Sequence, residues 1–186
     1  MSQSAIQPFT GTFRAQSVAS TFAFAVRHSG VFRFRGELLH VVATLHGGSD
    51  GPQLDGSARV ESISVVEPSA MRESLLGPTF FDSERHPEIG FRSTAMRLSD
   101  DGRAEIDGEL TMRGVTRPVN AHGQWAAPRD AGFGEVAGMR LQTTIDRRDW
   151  GFAWQTELPG GGHAVGWEVE LDIDLLLMRE DAHDQG

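Results

Sequence analysis

No cysteine and no lysine occur among the 186 residues. Without cysteine there is no disulfide framework, no thiolate metal site and no cysteine nucleophile. Without lysine there is no Schiff-base chemistry and no P-loop lysine, and all seventeen basic side chains are arginine. Long apolar runs are missing too: nothing approaches the roughly 20 apolar residues that span a bilayer as a helix. The opening stretch, MSQSAIQPFTG, has neither a basic nor an apolar region, so it does not read as a secretory signal. These absences point to a soluble, cytoplasmic protein without stable membrane insertion. A net charge of -9 disfavours non-specific binding to nucleic acid, and no nucleic-acid partner is expected.

What is present is glycine, 22 in all, and a strong period-two alternation. The chain is long enough for one domain with a good-sized core, or one barrel. Residues 1–9 read as a flexible lead, 10–179 as the folded domain and 180–186 as an acidic tail. A short strand is expected at 10–14. In residues 20–28, Phe22, Phe24, Val26 and His28 share one face. Residues 31–45 read as one long extended stretch. Its apolar phase shifts by one residue between Leu38 and Leu39, which predicts a bulge in a curved sheet. Residues 47–56 form a turn cluster, and 57–66 the next strand. The spacing predicts a single helix over 68–76, opened by Pro68 and stopped by Gly77-Pro78. Residues 79–87 are a structured loop with Phe80 and Phe81 side by side.

A further strand starts at Ile89 and Phe91. Then comes the most regular unit. Ile106, Gly108, Leu110 and Met112 alternate with polar residues, Arg113-Gly114 break the run, and Val119, Ala121, Gly123 and Trp125 resume it. This is a β-hairpin with one apolar face. Pro128 to Gly134 reads as a loop. Met139, Leu141, Thr143 and Ile145 form another alternating strand. Gly160 to Gly162 form a turn, because a glycine run without a following helix does not make a phosphate site. Trp167, Val169, Leu171, Ile173 and Leu175 form the last inward face. The sum is about eight strands, one short helix and no βαβ spacing. It predicts an all-β, antiparallel eight-stranded barrel, with a sandwich as the alternative. A barrel of that size can just hold one small ligand.

The string Leu110-Thr111-Met112-Arg113-Gly114-Val115-Thr116-Arg117-Pro118-Val119 resembles the hairpin signature of the YceI-like family. Three other family motifs are matched in the same order. Ser20 stands with Phe24, Val26, Arg27 and His28; Phe80, Phe81 and Asp82 with Pro87, Phe91, Ser93 and Thr94; and Arg147 with Asp149, Trp150 and Gly151. The resemblance runs from about residue 11 to 178. Two positions depart from it. Ala19 stands where the family often has His, and Met71-Arg72-Glu73-Ser74-Leu75 replaces its Arg-Asp-x-His-Leu. The polar contacts of that helix motif are therefore left open.

The resemblance implies a lipocalin-like barrel that binds a polyisoprenoid without catalysis, as carrier, store or scavenger of a polyprenyl chain or quinone tail. It implies a homodimer, and an isoprenoid lipid as the bound partner in place of any cofactor. The inward faces then become a tunnel lining: Phe22, Phe24, Val26, His28, Phe34, Phe91, Leu110, Met112, Met139, Leu141, Trp167, Val169, Leu171 and Ile173. An ordinary packed core is the alternative for the same residues. His28 is either a polar group for a ligand or an interior histidine satisfied by its neighbours. His28, His40 and His46 fit no compact metal motif, and no metal is expected. Asp146 to Asp149, DRRD, reads as a structural Arg-carboxylate pair tying a loop to the barrel in preference to an acid/base group. Ser20, Ser64 and Ser93 lack a paired base. Two rival functions remain. One is an enzyme acting on a lipid- or quinone-like substrate with His28 as acid/base; the other is a structural, stress-related protein with a filled core.

Overall fold

The alternation is realised as a single antiparallel sheet of ten strands in a computed structural model describing residues 8–180. The strands are β1 (Gly11–Ala15), β2 (Thr21–His28), β3 (Phe32–Leu38), β4 (Val41–Gly47) and β5 (Gln53–Arg59), then β6 (Glu88–Leu98), β7 (Arg103–Met112), β8 (Val115–Asp130), β9 (Glu135–Asp146) and β10 (Val165–Arg179). One helix, α1 (Ser69–Leu76), lies between β5 and β6. Eight strands, in the order β1-β4-β5-β6-β7-β8-β9-β10, close into a barrel because β10 also pairs with β1. The other two, β2 and β3, form a hairpin that continues the wall along the same edge of β10. The expected antiparallel eight-stranded barrel with one short helix is therefore the fold, extended by two strands. Most of the lead, residues 1–7, and positions 181–186 of the acidic tail lie outside the described residues.

Of the two extra strands, β2 matches the run expected at 20–28, and β3 arises where the sequence suggested one bulged run over 31–45. Leu38 and Val41 both point inward and are buried, three residues apart. A continuous pleat cannot bury both, because side chains alternate faces. The chain turns a corner at Leu39-His40 instead. Ser62 holds that corner: its carbonyl accepts from Leu39 N at 3.2 Å and its Oγ from His40 N at 2.9 Å. The strand expected over 57–66 is likewise corrected. It starts earlier, at Gln53, and gives way to a 3₁₀ turn at Val60–Ser62. The Gly- and Pro-rich composition hid it, yet Leu54 is buried and Gly56 pairs with both Ala43 and Phe91.

The signature hairpin joins β7 to β8 through a two-residue turn whose central residues, Arg113 and Gly114, have φ of 50° and 72°. Positive φ at both positions matches the right-handed twist of the flanking strands. The expected loop over Pro128 to Gly134 is shorter than that, since β8 runs on to Asp130.

The two ends of the barrel differ. At the end closed by β1, Phe13, Leu45, Ile106 and Leu177 are fully buried, and Phe9 packs edge-on against Phe13 at 5.3 Å. That base is solid. At the other end β3 makes no ladder with β5; a single bridge, Leu38 to Ile63, spans the gap. The segment carrying α1 covers it.

Candidate ligand cavity

Under that cover lies a cavity of about 320 Å³. Each neighbouring strand supplies its inward face. Phe22, Phe24, Val26 and His28 come from β2, Phe34 from β3, Met112 from β7, and Val169 and Leu171 from β10. Period-two alternation puts them there, and the register confirms it. Phe22, Phe24 and Val26 lie opposite Ile173, Leu171 and Val169 on one side, and Leu38, Gly36 and Phe34 on the other. A Cβ at Gly36 would sit 2.5 Å from Phe24 Cζ, so the far end of the Phe24 ring occupies the space over the glycine.

A second, smaller space of about 80 Å³ lies deeper, and Phe91, Leu110, Leu141 and Ile173 line it. Twelve of the fourteen tunnel residues expected from the sequence thus border one space or the other. Met139 and Trp167 border neither. Met139 is buried in the packed core, paired with Trp125 and Leu175. Trp167 is displaced by a register shift between Val165 and Val169, where four steps of β10 face two of β2. The bulge carries the indole out to stack on the guanidinium groups of Arg147 and Arg148, at 4.3 and 4.9 Å.

The rest of the lining comes from segments without a usable period. Met71, Ser74 and Leu75 come from α1, Phe80 and Phe81 from the following loop, and Phe152 and Trp154 from the loop before β10. The rings interlock: Phe81 meets Phe24 at 6.0 Å and Phe152 at 5.4 Å, and Phe80 meets Trp154 at 5.5 Å. Met71 and Trp154 are also exposed, which places the mouth beside them. The adjacent phenylalanines were a signal in the sequence; Phe152 and Trp154 gave none.

Three arginines fasten these cover segments by donating to backbone carbonyls. Arg147 is 5% exposed, and its fork reaches Gly166 O at 2.8 Å, Phe152 O at 2.5 Å, Trp154 O at 2.9 Å and Val165 O at 3.2 Å. Arg113, in the signature turn, donates to Gly151 O at 2.8 Å and Pro78 O at 3.1 Å. Arg72 ties α1 to the preceding segment through Ile63 O at 3.0 Å and Glu61 O at 2.8 Å. A planar fork with five donors suits this work where a single ammonium does not.

The expected Arg-carboxylate pair divides into two roles. Arg148 makes it, to Asp146 at 2.5 Å, while Arg147 holds the loop through carbonyls alone. Burial pushes the Arg147 guanidinium below its ordinary value, Asp146 works against that, and Arg148 adds to it. The hydrogen bond from Arg148 holds the Asp146 carboxyl below the usual carboxylate range.

His28 fits both of its readings. It borders the cavity, and its Nδ1 lies 3.0 Å from Ser29 Oγ while its ring packs on Phe32 at 5.3 Å. Ser29 sits at φ 52° with Gly30 at 68°, an ordinary hairpin turn. Among the described residues no group of three or more His, Cys, Asp or Glu could hold a metal ion. His46 bonds instead to Thr12 Oγ1 at 3.1 Å. No helix among the described residues is long and apolar enough to cross a membrane.

Comparison with known proteins places this geometry. The model of the YceI-like domain matches residues 13–177. A UPF0312 protein of Pseudomonas putida strain GB-1 is 33% identical over 121 residues, 64% of this chain and 59% of that protein. The chain thus matches about three fifths of the length of such relatives. The crystal structure of Burkholderia cenocepacia BcnA aligns with a TM-score of 0.70 at 15% identity, covering 87% of this chain and 98% of that one. The Campylobacter jejuni YCEI protein gives 0.68 at 19% identity, covering 83% and 90%. A polyisoprenoid binding domain from Saccharophagus degradans gives 0.63 at 9% identity, covering 90% and 98%. At these identities the structural matches establish a common barrel.

Proposed function

The chain belongs to the YceI-like domain family, and from that premise we propose that it binds a long-chain isoprenoid lipid, a polyprenyl chain or a quinone tail, without chemical change. The cavity carries the reading. Of its nineteen bordering residues only His28, Ser74 and Arg147 have polar side chains, and the Arg147 fork is already engaged. Such a space gains from hydrocarbon and offers little to a charged group. The tail lies within, and the head group stays at the mouth near Met71, Ser74 and Trp154. The volume is close to the lower end of the roughly 300–1,000 Å³ typical of ligand pockets.

A tail of about forty carbons, wholly withdrawn from water at about 0.3 kcal/mol per heavy atom, gains about 12 kcal/mol, in the nanomolar range. A tail only partly enclosed gains proportionately less. In a bilayer the same tail is already out of water, so exchange between membrane and protein is nearly balanced, as a carrier or store requires.

The test is mass spectrometry of an organic extract of the natively purified protein, followed by titration with prenyl alcohols. A stoichiometric isoprenoid, or saturable micromolar binding of an added one, is expected. The absence of both extractable lipid and such binding overturns the reading. Turnover of a bound quinone that is lost in His28→Ala, with binding retained, would favour an enzyme.

A further inference from the structure

We propose that Phe22 is a partition that sets how far a lipid tail enters the barrel, and so selects tail length. The inference rests on the binding reading above and adds a selectivity determinant to it. Only three residues border both the 320 Å³ and the 80 Å³ space: Phe22 from β2, Ile89 from β6 and Leu171 from β10. They mark the level at which the two spaces meet. Above it β10 contributes Val165 and Val169, and below it Ile173 and Leu175.

The deeper space is no chemical barrier to hydrocarbon. Leu54, Leu110, Val119 and Leu141 face it, and of its two hydroxyl-bearing residues, Ser57 and Thr143, the latter is occupied as a donor to Asn120 O at 2.7 Å. What separates the two spaces is therefore steric. Phe22 has the largest side chain of the three and, unlike the buried Ile89 and Leu171, is only half-buried, so it borders open volume. Further down, Leu45, Ile106 and Leu177 end the lumen with fully buried side chains. A tail that fills the upper space meets Phe22 first and this floor last.

The experiment compares wild type with Phe22→Ala, Phe22→Leu and Phe22→Trp against farnesol, geranylgeraniol and solanesol. Binding is read by displacement of a fluorescent lipid probe, and folding by circular dichroism. Phe22→Ala is expected to raise the affinity ratio of geranylgeraniol over farnesol at least tenfold, about 1.4 kcal/mol. Phe22→Leu should change it in the same direction by less, and Phe22→Trp should lower it. If Phe22→Ala does not fold, the leucine and tryptophan variants carry the comparison. Unchanged ratios in the folded variants, with wild type binding the series, overturn the partition alone. A wild type that binds no member overturns the binding reading and the partition with it.

Discussion

Arg147 is the most informative residue to remove. Arg147→Leu deletes four hydrogen bonds to carbonyls while leaving a shorter, apolar side chain. The bonds to Phe152 O and Val165 O are buried, and those to Gly166 O and Trp154 O are partly buried. A buried acceptor left without a donor costs about 1–3 kcal/mol. Val165 O keeps its bond from Gln155 Nε2 at 2.6 Å, so the orphaned Phe152 carbonyl alone costs about 1–3 kcal/mol, while the two nearer the surface can take water instead. Losing the cation over Trp167 adds about 0.5–1 kcal/mol. Against this, burial disfavours the charged guanidinium, so its removal recovers part of the cost.

The balance is a loss of about 1–3 kcal/mol. The measurement is urea unfolding, where the midpoint should fall with the slope unchanged. Hydrogen exchange should quicken over residues 152–165, and lipid retention should drop because Phe152 and Trp154 border the cavity. Arg147→Lys keeps a charge but not the fork, and should recover less than half of the loss. Stability within about 0.5 kcal/mol of wild type in Arg147→Leu, with the loop still protected, would refute the idea that this side chain holds the cover.

Three other outcomes are expected. Gly36→Ala places a Cβ 2.5 Å from Phe24 Cζ and so forces the ring toward the cavity it borders; ligand titration should show weaker binding, with a stability loss of about 1–3 kcal/mol, typical of overpacking. Arg113→Asn, which tolerates the positive φ of the turn, releases the carbonyls of Gly151 and Pro78; limited proteolysis should then cut more readily within residues 77–86, while global stability falls by less than about 2 kcal/mol. Acid should weaken the fold in a defined window. Asp146, Glu105 and Asp107 are held below their ordinary values of 3.8, 4.5 and 3.8, the first two chiefly by the hydrogen bonds of Arg148 and Arg97, and Asp107 by Asn120 and then Arg97. Their contribution is complete above those ordinary values and is lost as pH falls through the lowered ones. Thermal melts from pH 6 downward should be flat until about pH 4 and then decline. Asp107→Asn should shrink that decline, and an equal decline in the variant would count against the assignment.

The strands of this protein are legible because burial on one face imposes a period of two that survives any local detail. Hence the faces of β2, β7, β9 and β10 can be read directly, and twelve of fourteen expected lining residues border the lumen. The misreadings share one cause, which is that register is a property of two strands and the sequence displays one. The two strands within 31–45 part because β3 must follow β2 while β4 must follow β1 and β5. Trp167 continues the alternation of β10 perfectly and still leaves the lumen, because β2 is two residues shorter there. The cover was the least legible part. Its side chains, Phe152 and Trp154 above all, are placed by arginine forks acting on carbonyls, and backbone acceptors leave no mark in a sequence.

The seam between β3 and β5 gives the molecule its mechanics. At the base, a continuous hoop of paired strands runs through β1, β4 and β10, and widening it means breaking several backbone hydrogen bonds at once. At the rim the hoop is slit, with a single bridge from Leu38 to Ile63 at its lower end. A vessel hooped below and slit above dilates by flexing its lip. The β2–β3 flap can lean outward about its attachment to β10, the hem stitched by Arg72 and Arg113 can slacken, and the foot keeps its circumference. On the proposed function, loading and unloading would thereby be confined to one end, and the elastic cost of admitting a bulky chain would fall on the wall beside this seam.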